Sequence, residues 1–166
     1  MDKNRISVLG LMSGTSLDGI DLAYVTFQKD GYQNFELVFA ETIPYTKKWK
    51  LILQNAFHYN REKLHELSIS YGDYLGKEIN HFLKKNNINS IDFIASHGHT
   101  ILHQPEKGIT LQIGDGQTIA NITQQKVVCD FRTQDVALGG QGAPLVPIGD
   151  ELLFSQYDYC INFGGF

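Results

Sequence analysis

The sequence predicts an α/β fold, a mixed sheet with helices on its faces, and three observations carry that expectation. Residues 5–12, 20–27 and 35–43 are short runs rich in Val, Ile, Leu, Tyr and Phe, the last alternating as FELVFAETI, the period of a half-buried strand. From Tyr45 the spacing becomes helical over two segments. After Asn89 short apolar runs alternate with helical stretches, as crossover units require.

Taken in order, the first three runs form an antiparallel meander, with Asp30-Gly31 turning the second into the third. Trp49, Ile52, Leu53, Ala56 and Phe57 mark a helix with Pro44 just ahead of it, where a fixed φ is tolerated. Leu64, Leu67, Tyr71, Leu75, Ile79 and Phe82 extend a long amphipathic helix to about Lys85, thinned on one side by Gly72 and Gly76. IDFIASHG then reads as a buried strand, TILHQPEKGITLQIG as a hairpin around Pro105 and Gly108, and DGQTIANITQQ as a helix capped by Asp115. KVVCDF is a further strand, QGAPLVPIGDELLFSQ leads into a helix after two prolines, and YDYCINFGGF is a strand ending in a Gly-Gly turn.

Composition limits the function. With 166 residues, 42% hydrophobic and 19% charged, one core is expected in one domain. A net charge of −4 opposes a nucleic-acid partner, because phosphate-backbone affinity rests on a basic face. No apolar run is long enough for a membrane span and MDKNRISVLG does not begin a secretory signal, so a cytoplasmic address is expected. Cys129 and Cys160 sit in apolar runs and are expected to be buried free thiols.

Three stretches carry chemistry. In GLMSGTSLDGID, glycines allow close backbone approach to phosphate oxygens and Ser13, Thr15 and Ser16 add donors; Asp18 and Asp21 cannot bind phosphate, but a carboxylate there can hold Mg²⁺ through its water shell. The alternative is a polar hairpin whose hydroxyls satisfy its own backbone. In SHGHTILH, an extended run puts His97, His99 and His103 on one face, which raises zinc; the other readings are polar groups satisfied by backbone, or His97 and Thr100 binding a polyol at a strand end. In DFRTQDVALGGQGAPLVP, Arg132 can clamp a carboxylate or phosphate, or pair with Asp130 or Asp135, and Gln141 lies among Gly139, Gly140 and Gly142. A serine or cysteine hydrolase lacks its nucleophile elbow.

Together these stretches resemble the anhydro-N-acetylmuramic acid kinases. GLMSGTSLDGID is similar to the family's N-terminal ATP loop, SHGHTILHQP to its C-H-G-Q-T-x-x-H segment, TLQIGD to its next motif, and CDFRTQDVALGGQGAPLVP to its G-D-F-R-x-x-D-x-A-x-G-G-Q-G-A-P-L-V-P block. His99 stands where the family usually has Gln. The resemblance implies a ribonuclease-H-like domain of the sugar-kinase/actin/heat-shock ATPase superfold. It also implies an ATP- and Mg²⁺-dependent opening of the 1,6-anhydro bridge with phosphorylation to N-acetylmuramic acid 6-phosphate, in cell-wall recycling. By position, Gly14, Thr15, Ser16, Leu17, Asp18, Gly19, Ile20 and Asp21 would take the ATP role, Asp18 meeting the metal through water, and His97, Thr100, Asp130, Arg132 and Gln141 the sugar side.

INFGGF resembles the start of the family's N-x-G-G-I-A-N strand, after which the family carries the aspartate taken as the catalytic base in F/Y-D-T-G-P-x-N. The expectation is therefore one N-terminal domain over residues 1–166, with the base and the second domain beyond Phe166 and no turnover by this chain alone. Homodimerisation or other self-association through the uncovered face is expected with it. A non-catalytic sugar-binding module and a phosphatase of the same superfold are the alternatives.

Overall fold

The computed structural model describes residues 4–161. Strands β1 (Arg5–Ser13), β2 (Gly19–Gln28) and β3 (Gly31–Pro44) form the expected meander, followed by helices α1 (Lys47–Asn55) and α2 (Arg61–Lys85). Strand β4 (Phe93–Gln104), strand β5 (Ile109–Ile113), helix α3 (Gly116–Thr123), strand β6 (Val127–Cys129) and helices α4 (Thr133–Ala137) and α5 (Val146–Phe154) complete the described chain. Side chains set the helix starts: Thr46 accepts from the Trp49 amide, Asn60 from the Lys63 amide, and Asp115 from the Thr118 amide.

The sheet runs β3-β2-β1-β4-β5, with β6 also on β4. β1 and β4 are parallel, Leu9 opposite Ile94, so the ends of both strands meet at one edge of the sheet. One edge of β4 is taken by β1. The other is shared: β6 pairs with Ile94 to Ser96 and β5 with His99 to Gln104. Residues 97 and 98 fall between the two partners.

The core lies between the sheet and α2, whose Leu64, Leu67, Tyr71, Leu75, Ile79 and Phe82 meet Leu9, Leu11, Ile20, Leu22, Ile94 and Ile113. Gly72 and Gly76 let α3 close on α2: a Cβ at Gly72 would stand 2.8 Å from the Asp115 carbonyl oxygen, and one at Gly76 2.9 Å from Ile122. Gly72→Val is expected to cost about 1–3 kcal/mol, the usual penalty of overpacking. Gly149→Ala, with nothing within 4 Å, is the control. Equal melting temperatures for the two variants would refute the close-packed seam.

Several expectations need correction. The segment read as a short strand followed by a hairpin is one long strand, β4, bent at Gly98 (φ 72°). α4 was not expected, since five residues are too few to show a period. Pro44 stands just ahead of α1 as expected, and is also the last residue of β3. Both cysteines are exposed. Among the described residues β6 pairs only with β4, so its apolar residues are without full cover there. No strand forms over residues 157–161, and the rest of that expected strand lies outside the described residues. No helix among the described residues is long and apolar enough to cross a membrane.

Candidate active site

The ends of β1 and β4 build a cleft of about 390 Å³ lined by Ser13, Gly14, Thr15, Ser16, His97, Thr100 and Arg132. Two of the three sequence-predicted stretches thus meet the third, although 118 residues separate Gly14 from Arg132. The parallel pairing of β1 with β4 accounts for the first meeting, and the short β6, delivering the chain beside β4, accounts for the second.

The loop from Gly14 to Gly19 is tied by its own atoms. Leu17 donates its amide to the Gly14 carbonyl at 3.3 Å and holds a left-handed φ of 58°. One oxygen of Asp18 accepts from the Ser16 hydroxyl at 2.8 Å and from the Gly19 amide at 3.0 Å. Those bonds, the Ser16 hydroxyl first, hold its carboxyl below the usual range. Its other oxygen is open, which fits a metal met through water and not a cage of direct ligands. Asp21 instead accepts from Thr42 across the sheet, and the Ile20 side chain is fully buried in the core, so only its backbone could face a nucleotide. Gly19 is demanded by packing: a Cβ there would lie within 2.4 Å of the Ile43 carbonyl oxygen.

The histidines do not converge. Gly98 breaks the alternation of β4, so His99 turns inward and is 3% exposed, while His97 faces Arg132 and His103 meets Thr110. The zinc reading required three rings on one face, and this phase slip removes it. Arg132 donates from Nε to His97 Nε2 at 3.0 Å and from Nη1 to the Gly142 carbonyl. His97 is therefore the Nδ1–H tautomer, donating to the Gly98 carbonyl at 2.9 Å. Burial first, and the adjacent guanidinium second, push its pKa down, so it is neutral. Three of the five guanidinium N–H groups are left for a ligand.

The alternative reading, a pairing of Arg132 with Asp130 or Asp135, does not form among the described residues. Asp130 accepts from the Thr133 amide at 3.2 Å, and Asp135 accepts from the Gly142 amide at 2.6 Å, holding the glycine loop against α4. Gln141 is exposed and outside the cleft lining.

Sequence reasoning missed what lies beneath the loop. Ser13 Oγ stands 2.6 Å from Tyr45 Oη, accepts from Tyr71 Oη at 2.8 Å and lies 3.0 Å from His99 Nδ1, and Tyr45 bonds Tyr71. Burial pushes both phenols above their ordinary pKa, Tyr71 the further, so both keep their protons. With the Tyr71 proton on Ser13, Tyr45 donates to Tyr71; the close Ser13–Tyr45 contact then takes the serine proton, and His99 donates through Nδ1. Each hydroxyl donates once and accepts at least once.

Burial also lowers the His99 pKa to about 4. The folded value is depressed below that of the unfolded chain, so the unfolded state binds the extra proton between about pH 6.5 and 4. Stability is expected to fall as pH drops through that window and to be independent of this group above it. Denaturant melts at pH 7 and pH 4.5 check this; His99→Asn should shrink the difference, leaving the smaller part owed to the buried His97, and an unchanged difference would refute the assignment.

The model of the family described as anhydro-N-acetylmuramic acid kinase matches residues 6–166. The chain belongs to the anhydro-N-acetylmuramic acid kinase family. It is 39% identical over 174 residues to the anhydro-N-acetylmuramic acid kinase of Colwellia psychrerythraea, covering 95% of this chain and 42% of that protein. The Shewanella oneidensis enzyme of that name is 41% identical, with 98% and 46% covered, and that of Bacillus thuringiensis 38% identical, with 95% and 45% covered. The chain thus spans under half the length of these anhydro-N-acetylmuramic acid kinases. Its mixed sheet with flanking helices is that of the sugar-kinase/actin/heat-shock ATPase superfold, as the family requires.

Proposed function

We propose that residues 1–166 form the N-terminal domain of an ATP- and Mg²⁺-dependent kinase that opens the 1,6-anhydro ring of anhydro-N-acetylmuramic acid and yields N-acetylmuramic acid 6-phosphate, in cytoplasmic cell-wall recycling. The observation that carries this reading is the shared cleft, where loop residues Ser13 to Ser16 face His97, Thr100 and Arg132.

In this reading the backbone of residues 14–21 holds the ATP phosphates and Asp18 orients a metal through its open oxygen. A metal held there would supply charge neutralisation on the transferring phosphoryl group. Arg132, aimed by His97 and the Gly142 carbonyl, takes the sugar's carboxylate with its remaining donors. Thr100 completes the sugar wall of this cleft, and Asp130 and Gln141 lie outside its lining. Positioning is the main demand of phosphoryl transfer, and these residues supply one side of it. The base and the adenosine-facing surface belong to a second domain in this reading, so the chain alone is expected to show no turnover. Exposed Val146, Ile148 and Leu152 on α5 support self-association, which sedimentation would read directly.

The test is product formation from anhydro-N-acetylmuramic acid and ATP by a protein of the relatives' full length. Gly14→Val should raise the ATP requirement while folding normally, because the nearest atom to its Cβ is the movable Ser16 hydroxyl at 3.2 Å. Sugar binding without turnover would indicate a non-catalytic module, and dephosphorylation of the 6-phosphate would indicate a phosphatase.

A further inference from the structure

β5 and β6 share one edge of β4, and between them the sheet is open. A cavity of about 230 Å³ occupies that opening, lined by Ser96, His97, Asp115, Cys129, Asp130 and Thr133 among others. Neighbours along a strand point to opposite faces, so Ser96 and His97 border it from the two sides of the sheet. His97 and Gly98 line it, and His97 also lines the cleft with the phosphate loop.

Three features give the cavity its chemistry. Ser96 is fully buried and its hydroxyl has no hydrogen-bond partner, an arrangement that costs stability unless something in the cavity answers it. Asp115 caps α3 through one carboxylate oxygen and Asp130 accepts from the Thr133 amide through one of its own, which leaves the second oxygen of each as an acceptor for a ligand. Both carboxylates line the cavity with Cys129, and partial burial of the thiol first, then these two charges, push its pKa up.

We propose that this opening is a second compartment of the ligand site, built to receive the uncharged, hydrogen-bond-donating part of a sugar, its hydroxyls or its N-acyl amide, while Arg132 holds the anionic part on the far side of His97. The proposal rests on the sugar-kinase reading above. Two open carboxylate oxygens accept and cannot donate, so the occupant must bring O–H or N–H groups, and a phosphate or carboxylate is repelled. The Ser96 hydroxyl can then donate to a carbonyl or accept from a hydroxyl. An acidic compartment and a guanidinium separated by one neutral imidazole sort a ligand that has a carboxylate at one end and an amide at the other.

Cys129, exposed and on the cavity wall, reports occupancy without any need for turnover. In a Cys160→Ser background, alkylation of Cys129 by N-ethylmaleimide is followed with anhydro-N-acetylmuramic acid and with anhydro-N-acetylglucosamine, which lacks the carboxylate. Both are expected to slow the reaction saturably. Ser96→Ala should weaken both protections about 2–10-fold, the worth of one hydrogen bond. Its melting temperature should not fall, because the deleted hydroxyl has no partner to lose. Arg132→Ala should weaken protection by the carboxylate-bearing sugar alone. Calorimetric sugar binding with Cys129 alkylated at the unliganded rate, equal protection in Ser96→Ala, or no protection by millimolar sugar would each overturn the compartment. The kinase reading stands or falls separately, on phosphorylation by the full-length protein.

Discussion

Replacing Arg132 by Ala is expected to weaken binding of a carboxylate-bearing sugar by about 30-fold to several thousandfold. That range is the 2–5 kcal/mol lost when a desolvated, hydrogen-bonded charge is removed. The guanidinium is aimed, not merely present: Nε is fixed on His97 and Nη1 on the Gly142 carbonyl. Arg132→Lys should rescue little, because an ammonium has no planar fork with which to keep both anchors and still face a ligand. The same substitution strips a donor from the Gly142 carbonyl, so some stability is lost as well, about 1–3 kcal/mol. Binding measured per folded molecule separates the two effects. Undiminished affinity in a destabilised but folded Arg132→Ala would leave the residue a brace for the glycine loop and nothing more.

Ser13→Ala should be the most damaging conservative change in the protein. Its hydroxyl is the common partner of Tyr45, Tyr71 and His99, all at or below 5% exposed, so one deleted oxygen leaves several buried polar groups short of a bond. Each such orphan costs about 1–3 kcal/mol. Tyr71→Phe removes one donor and should cost less. Because the hydroxyls form a single network, the double variant should be less damaging than the sum of the two, as coupled sites are. Chemical denaturation of the singles and the double tests this, and strictly additive losses would refute a shared network.

How far the sequence discloses this molecule depends on range. The meander, α2 with its glycine seam, and the Asp115 cap were legible because strand period, helix period and capping act within a few residues. The glycine and hydroxyl loop, and Arg132 among glycines, were legible as chemistry for the same reason. The Ser13 network was not. Ser13 and His99 are 86 positions apart, and only the parallel register of β1 and β4 brings them together. The H-x-H spacing misled because the left-handed Gly98 shifts the phase of the strand, and a glycine within an apolar run carries no mark of its φ. Cys129 misled because an apolar run does not reveal that, among the described residues, its strand has a partner on one side alone.

A sheet ordinarily guards its centre and frays at its margins. Here the pairing of β4 skips residues 97 and 98, in the middle of the strand and between two well-paired ends. The gradient of amide protection along that strand is therefore inverted: solvent deuterium enters first at the heart of the sheet, next to the ligand residues, while Ile94 and Leu102 on either side remain slow. An occupant of the opening would slow that exchange, so the binding event can be read from the backbone amides of residues 97 and 98.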